Sequence, residues 1–492
     1  MRRKAKLTLF ILIIMLSVAY LLLTWWAAYA TQRFYAERYR YLQENPFFKE
    51  GSFLRIDDYR YQRGLFSAQE EIAFTFNPLL AQISEGDEEK NKLFHFKIIE
   101  TIHYGPLPLL TQGDFSLLKA ASNVEINLPP EAAEKIKTIF GQDNPFSMSS
   151  RFHFDGSGNT HVHVAPFNYK ELLANLTIAW QGLDIDIDYA KDFANVDTRL
   201  SAPGLMVQLE DDFHIKMDGM RSKYAYTFNA DGLALGTQRL SVNALDIAFL
   251  GNDEDEDDGN FSLQLQGIQS KTHTQESSKA FIDSSWQLDV AQWQINKQYR
   301  GLAKIVTEIK HIHAPTLAAL LKETEQLKPQ WSREKSGEIA DKLLVLLSHK
   351  PQLIVQQLLL KLPEGDINFK AKIDLVDTAS SARLPEVLLK QVRAQAKFVV
   401  DKAVIQQFSL QQAREMIAAD TEDGQPIDNE ALESLARRLM DDNIKHLITQ
   451  KVVLDDGEHF VTEIFWQQGK LYFNGKPASR LRMNPKKLGL NS

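Results

Sequence analysis

The 492-residue chain contains no cysteine. That absence removes disulfide staples, thiolate metal sites and cysteine nucleophiles together. It leaves the compartment open, because a large core folds without cross-links in either redox environment. Also missing are the G-x-S-x-G nucleophile elbow, the G-x-x-x-x-G-K-[ST] phosphate loop, the G-x-G-x-x-G dinucleotide turn and the H-E-x-x-H zinc helix, so several large enzyme classes lose their usual signature. Net charge is -8, without the clustered Lys and Arg that phosphate binding needs, which excludes nucleic acid as a partner. After the N-terminus no segment approaches the roughly 18 apolar residues of a membrane span.

What is present begins at the N-terminus. Residues 1–6 carry Arg2, Arg3, Lys4 and Lys6, and an uncharged stretch follows from Leu7 to Gln32. As a helix at ~1.5 Å per residue, Leu7–Ala30 extends about 36 Å, against about 30 Å of bilayer hydrocarbon. Trp25, Trp26 and Tyr29 then fall at the far interface, where amphipathic rings are favoured. The positive-inside rule keeps 1–6 as a cytoplasmic tail, makes 7–30 a transmembrane anchor and exports the rest to the periplasm. Arg33, Arg38 and Arg40 reduce that charge asymmetry. The competing reading is a signal peptide cleaved after "AYA" at 28–30, but the apolar run exceeds the usual signal core and tryptophans crowd the site.

The region 31–310 reads as β-rich, its pattern mostly of period two from about residue 50 onward. In "FSLQLQGI" (261–268) Phe261, Leu263 and Leu265 oppose Ser262, Gln264 and Gln266; in "LDIDIDYA" (183–190) Leu183, Ile185 and Ile187 oppose Asp184, Asp186 and Asp188. One dry face and one wet face predict antiparallel sheet. Residues 311–492 mix helices with strands: helices over 315–327, 334–350, 402–418 and 428–448, a hairpin over 353–376 turning at Pro363–Asp366, and short strands over 451–477 before a basic tail. The fold class is α+β, mainly antiparallel β, with helices concentrated in the C-terminal third.

Three stretches carry a resemblance: "YRYQRGLFSAQEEIAF" (59–74), "HYGPLPLL" (103–110) and "GKLYFNGKP" (469–477), in that order behind an N-terminal anchor. Together they resemble the YdgA-like family of single-span bacterial cell-envelope proteins. The resemblance implies a cell inner-membrane anchor and a periplasmic body. It implies no reaction and transfers no catalytic residue. Read for themselves, residues 61–66 around Gly64 form a turn or a bulge, the bulge being the favoured account, feeding the strand 68–76, and Gly105-Pro106 ends the strand before it while Pro108 keeps the exit extended. His103 is then a turn residue, with Glu100 its nearest carboxylate in sequence.

The polar cluster with most chemical promise is "SRFHFDGSGNTHVHVAPF" (150–167). With a loop at 155–159, His153 faces His161 and Arg151 faces His163, so His153, His161 and His163 share a face where a zinc ion could bind. The plainer reading gives Phe152, Phe154, Val162 and Val164 to the core and the histidines to water. "HIHAPTL" places His311 and His313 at a strand end, too few ligands for a site. The acidic run 251–260 departs from the EF-hand pattern and reads as a solvated hairpin loop. The expectation is a non-catalytic, inner-membrane-anchored periplasmic protein that binds an envelope protein or lipid, with no cofactor and an open oligomeric state. The alternative is an extracytoplasmic metal-assisted hydrolase using the histidine hairpin.

Overall fold

A computed structural model describes residues 2–44, 48, 54–76, 94–171, 175–209, 213–249, 261–296, 298–326, 333–375, 391–420 and 429–478, with side chains of the first helix from Ile14 onward. The acidic run and the tail from 479 lie outside the described residues. The chain divides into two compact units, one of residues 1–236 and 321–338, the other of 237–320 and 339–492.

The first unit opens with α1 (Arg2–Glu44), a single helix that continues well past the apolar stretch. Its window Ile14–Gln43 is long and apolar enough to cross a membrane. Behind it come β1 (Leu54–Arg63), β2 (Ser67–Phe76), β3 (Phe94–Tyr104) and β4 (Ala120–Asn127), paired antiparallel in sequence order. The sheet continues through β5 (Phe146–Phe152) and β6 (Gly158–Val164). A short hairpin of β7 (Phe167–Glu171) and β8 (Leu176–Trp180) intervenes before β9 (Leu183–Tyr189) pairs with β6. Then β10 (Asn195–Leu209) pairs with both β9 and β8, and β11 (Phe213–Phe228) with β10.

Between β4 and β5 lies α2 (Pro130–Phe140), started by Pro130, whose absent amide hydrogen costs nothing in a first turn, and ended by Gly141 in the left-handed region. Together with α1 this corrects the expected helix distribution. The longest helix is N-terminal and another interrupts the β-rich region, so helices are not concentrated in the C-terminal third. Period two over most of 50–310 hid α2 because it is only three turns long.

The strand β12 (Ala234–Phe249) leads on, and the second unit is likewise built of antiparallel strands. Its strands are β13 (Phe261–Ser278), β14 (Phe281–Ile295), β15 (Gln298–Arg300) and β16 (Ala303–His313). The helices α3 (Ala314–Gln326) and α4 (Arg333–Ser348) fall where the sequence placed them. Then β17 (Gln352–Leu362) and β18 (Gly365–Leu375) form the expected hairpin around Pro363–Glu364. After β19 (Val392–Asp401) come α5 (Lys402–Asp420) and α6 (Asn429–Thr449), and last β20 (Leu454–Asp455), β21 (His459–Gln467), β22 (Lys470–Phe473) and β23 (Lys476–Pro477). β14 pairs with both β13 and β16, and pairing then runs β16–β17–β18–β19–β21. Val400 and Phe460 from the sheet meet Val404 of α5 in one buried cluster, and Ala413 of α5 meets Leu432 and Ala436 of α6 in another.

The expected bulge at Gly64 is a turn. Arg63 pairs with Ala68, and the Gly64 amide donates to the Ser67 carbonyl at 2.8 Å, closing a four-residue connection. The register slip on β1 falls instead between Ile56 and Asp58. Likewise Pro108 does not extend the chain: residues 105–112 curl through turns into a short 3-10 segment, Leu110–Gln112.

Candidate functional site

The densest polar arrangement lies where α1 crosses β1–β4. Alternation along β3 sends Glu100, Ile102 and Tyr104 to one face, all buried, and Thr101 and His103 to the other. Glu100 and His103 therefore stand on opposite faces and form no catalytic pair. On the buried face Ile102, Tyr104, Ala68 and Ala120 close over Ala27, Ala28 and Tyr35 of α1. Small residues at 27 and 28 let the helix sit close to the sheet. Near one end of the seam Gly105, at φ +119°, faces Thr24, whose Oγ1 lies 2.6 Å from where a Cβ would be.

One helical stretch further, the seam turns polar. The Tyr35 hydroxyl donates to Glu100 Oε1, and Arg38 reaches both Glu70 and Glu100, the latter with Nη2 to Oε2 at 2.8 Å. Arg38 also lies over the Tyr35 ring, with Cζ 4.3 Å from its centroid. Both carboxylates are almost wholly buried. Burial is the largest influence on Glu70 and pushes its carboxyl up to about 7, against the opposing pull of Arg38. Burial also raises the Tyr35 phenol, reinforced by Glu100. For Arg38 burial works downward, but Glu100, Glu70 and Tyr35 outweigh it, and its net direction is up. One cation thus serves two carboxyl groups in a dry seam. Chemically this is a fastening, since Tyr35, Arg38, Glu70 and Glu100 each bond another of the four, although Arg38 Nε and Glu70 Oε1 are buried without a partner among the described residues.

Beside this seam lies a cleft of about 320 Å³ whose lining includes Phe34, Lys119, Phe152, His153, Tyr189 and Phe193. Phe34 and Phe152 meet edge-on at 6.1 Å, while Phe193 remains half exposed. An apolar bowl with a lysine and an aspartate, Lys119 and Asp192, in its lining suits an amphiphile with a polar head. The second unit holds a groove of about 680 Å³ along α5, lined by Trp293, Leu360, Leu362, Ile367, Val404 and the exposed Phe408 among others.

The three histidines of 150–167 are not brought together. Phe152 pairs with Gly158 and Ser149 with His161, so β5 is displaced by four residues from the expected register. The cause is local. Asp155 accepts hydrogen bonds from the Ser157 amide at 2.9 Å and hydroxyl at 2.7 Å, and Gly156 takes φ +89°, which centres the turn on 153–157. His153 falls in that turn and lines the cleft. His161 and His163 stay on one face but meet carboxylates on β9: His161 Nδ1 is 2.9 Å from Asp186 and His163 Nδ1 is 2.7 Å from Asp184. Arg151 turns to Asp114 at 3.0 Å. The alternating aspartates of "LDIDIDYA" are thus partners of a histidine ladder, a pairing that the spacing of each strand alone does not reveal.

At the other histidine motif sequence reasoning missed a member. His349, just beyond α4, stacks on His313 at 3.7 Å, while His311 stacks on Phe281 at 3.9 Å. His311 takes φ +62°, its amide held by Asp283 at 2.8 Å. The rings lie face to face and do not converge. Among the described residues no three His, Asp or Glu side chains are arranged to hold a metal ion.

These features define a class: an antiparallel β protein of two units, whose first strands are built directly onto an apolar N-terminal helix. Over residues 3–480 the chain matches one family, DUF945, bacterial proteins of unknown function, and it belongs to that family. No curated protein matches the chain, and no solved structure does.

Proposed function

We propose that this is a non-catalytic protein of the bacterial cell envelope, anchored in the inner membrane by α1 with its two β units in the periplasm, and that it holds an envelope lipid or protein beside the membrane. The observation that carries the reading is the continuity of α1. The same helix that is apolar enough to cross a bilayer supplies Thr24, Ala27, Ala28, Thr31 and Tyr35 to the interior of the first unit. Cleavage after Ala30 would strip the seam of Thr24, Ala27 and Ala28, which favours a retained anchor over a signal peptide. The likeness to the YdgA-like group supports the same placement. A lipid suits the cleft beside Phe34 and Lys119, because its mostly apolar lining includes Thr31, Phe34 and Tyr35 of the same helix that is read as the anchor.

The test is to purify the full chain in mild detergent, extract it, and measure bound lipid and metal by mass spectrometry in wild type and in Phe193→Asp. The reading expects a lipid retained through delipidating washes by wild type and lost from a folded Phe193→Asp. Equal retention in both removes the cleft as the lipid site. Stoichiometric metal that disappears when His161 and His163 are replaced by alanine would favour the hydrolase instead.

A further inference from the structure

We infer that the first unit rests on the bilayer through an apolar collar around α1, formed by the β1–β2 turn and the β3–β4 connection. This rests on the membrane anchor proposed above. The collar's outward side chains are Leu65, Phe66, Leu110, Phe115 and Leu117, and the last two are 73% and 70% exposed. Exposed apolar residues scattered singly mean little, but these gather at two adjacent loops, because Ser67 at the start of β2 pairs with His103 near the end of β3.

The loops are built rather than loose. Tyr104 Oη lies 2.5 Å from the Gly64 carbonyl oxygen and 2.7 Å from that of Ser67, tying the two together. In the longer loop Leu109 and Leu118 turn inward onto Ala121 in a small buried cluster. Asp114 accepts from the Ser116 amide at 2.9 Å and pairs with Arg151, which fixes the bend between them. Phe115 and Leu117 are left outside by a shaped backbone, and Asp114, the one charged residue between Gly105 and Leu118, already has its partner.

Position decides what covers them. Phe66 lies 6.5 Å from Tyr20 of α1, Gly105 packs on Thr24, and Lys119 Nζ stands 5.4 Å over the Trp26 ring. The collar therefore meets α1 just where Trp25, Trp26 and Tyr29 stand exposed. A helix of ~20 residues crosses ~30 Å of hydrocarbon, and counting back that far from Thr24 reaches Lys4, among the basic residues. With the basic cluster at one headgroup layer, the tryptophans and the collar meet the other. Aromatic and leucine side chains there are stabilised by interfacial burial.

The absence of native cysteine makes the test direct. Leu16→Cys, Phe115→Cys and Asn127→Cys are each labelled with bimane in the full chain and reconstituted into phosphatidylethanolamine/phosphatidylglycerol vesicles, with or without nitroxide-bearing lipid. Asn127 ends β4 at the edge away from the collar. The collar predicts that labels at 16 and 115 lose about half their emission to the quencher lipid, while the label at 127 is unchanged. A label at 16 that is quenched beside a label at 115 that behaves like 127 overturns the collar and leaves the anchor standing. A label at 115 shielded from aqueous iodide yet untouched by quencher lipid points to a protein contact and overturns it equally. An unquenched label at 16 removes the anchor and the collar together.

Discussion

Arg38 Nη2 sits 2.8 Å from Glu100 Oε2, joining the end of an apolar helix to the third strand of a sheet that begins only at residue 54. With Glu70 bound to the same guanidinium, both carboxylates lose their nearest cation if Arg38 is removed. Arg38→Ala is expected to lower the stability of the first unit by about 3 kcal/mol, because it leaves buried carboxyl groups uncompensated. The triple change Arg38→Met, Glu70→Gln and Glu100→Gln should recover most of that loss. Denaturant unfolding in detergent, followed through a fluorophore on the first unit, measures both.

Glu70 sets a pH dependence. Its carboxyl is raised by burial to about 7 from an ordinary value of 4.5, so the folded state keeps a proton that the unfolded chain has released. The associated stability is fully present below about pH 4.5 and is lost as pH rises through about 7. At ~1.4 kcal/mol per pH unit the loss is on the order of 3 kcal/mol. The first unit should melt at lower temperature at pH 8 than at pH 5, and Glu70→Gln should flatten that part of the profile.

Gly105 is confined by both its backbone and its neighbour. Gly105→Ala forces a Cβ to within 2.6 Å of Thr24 Oγ1 at φ +119°, a conformation that L side chains rarely adopt. A cost of about 2 kcal/mol is expected, with faster proteolysis at the α1 seam. Adding Thr24→Ala should relieve the steric part and leave the backbone part. Full recovery in the double variant would show that backbone strain contributes nothing.

His349 acts in the opposite sense to Glu70. Burial lowers it, and the neighbouring His313 and His311 lower it further. Its contribution is present above the ordinary histidine value and is lost as pH falls through the depressed one. The second unit should loosen on acidification below the ordinary histidine value of 6.5, and His349→Gln should weaken that response. Hydrogen exchange on β14 and β16 at pH 5 and pH 7 measures it.

Much of the architecture was legible because alternation is a local property. The hairpin at Pro363–Glu364, the helices α3 to α6 and the short terminal strands follow from side-chain period and turn residues. What escaped depends on contacts distant in sequence. The extension of α1 through Arg33–Glu44 lies beyond the uncharged run; Tyr35 is buried and Arg38 partly buried where Glu100 and Glu70 lie across from them. The register of 150–167 turned on one Asx turn at Asp155, and the third histidine beside His313 came from a helix end 36 residues later. The aspartates of β9 looked like a solvated face until β6 was laid beside them.

The account stands on α1 being at once membrane anchor and part of the first unit's core. Intact-mass analysis of the chain retained in carbonate-washed inner membranes tests this most directly. A mass that still includes residues 7–30 is the predicted result. A membrane-free chain that begins after Ala30 would contradict the anchor, the seam at Thr24, Ala27 and Ala28, and the collar that depends on both.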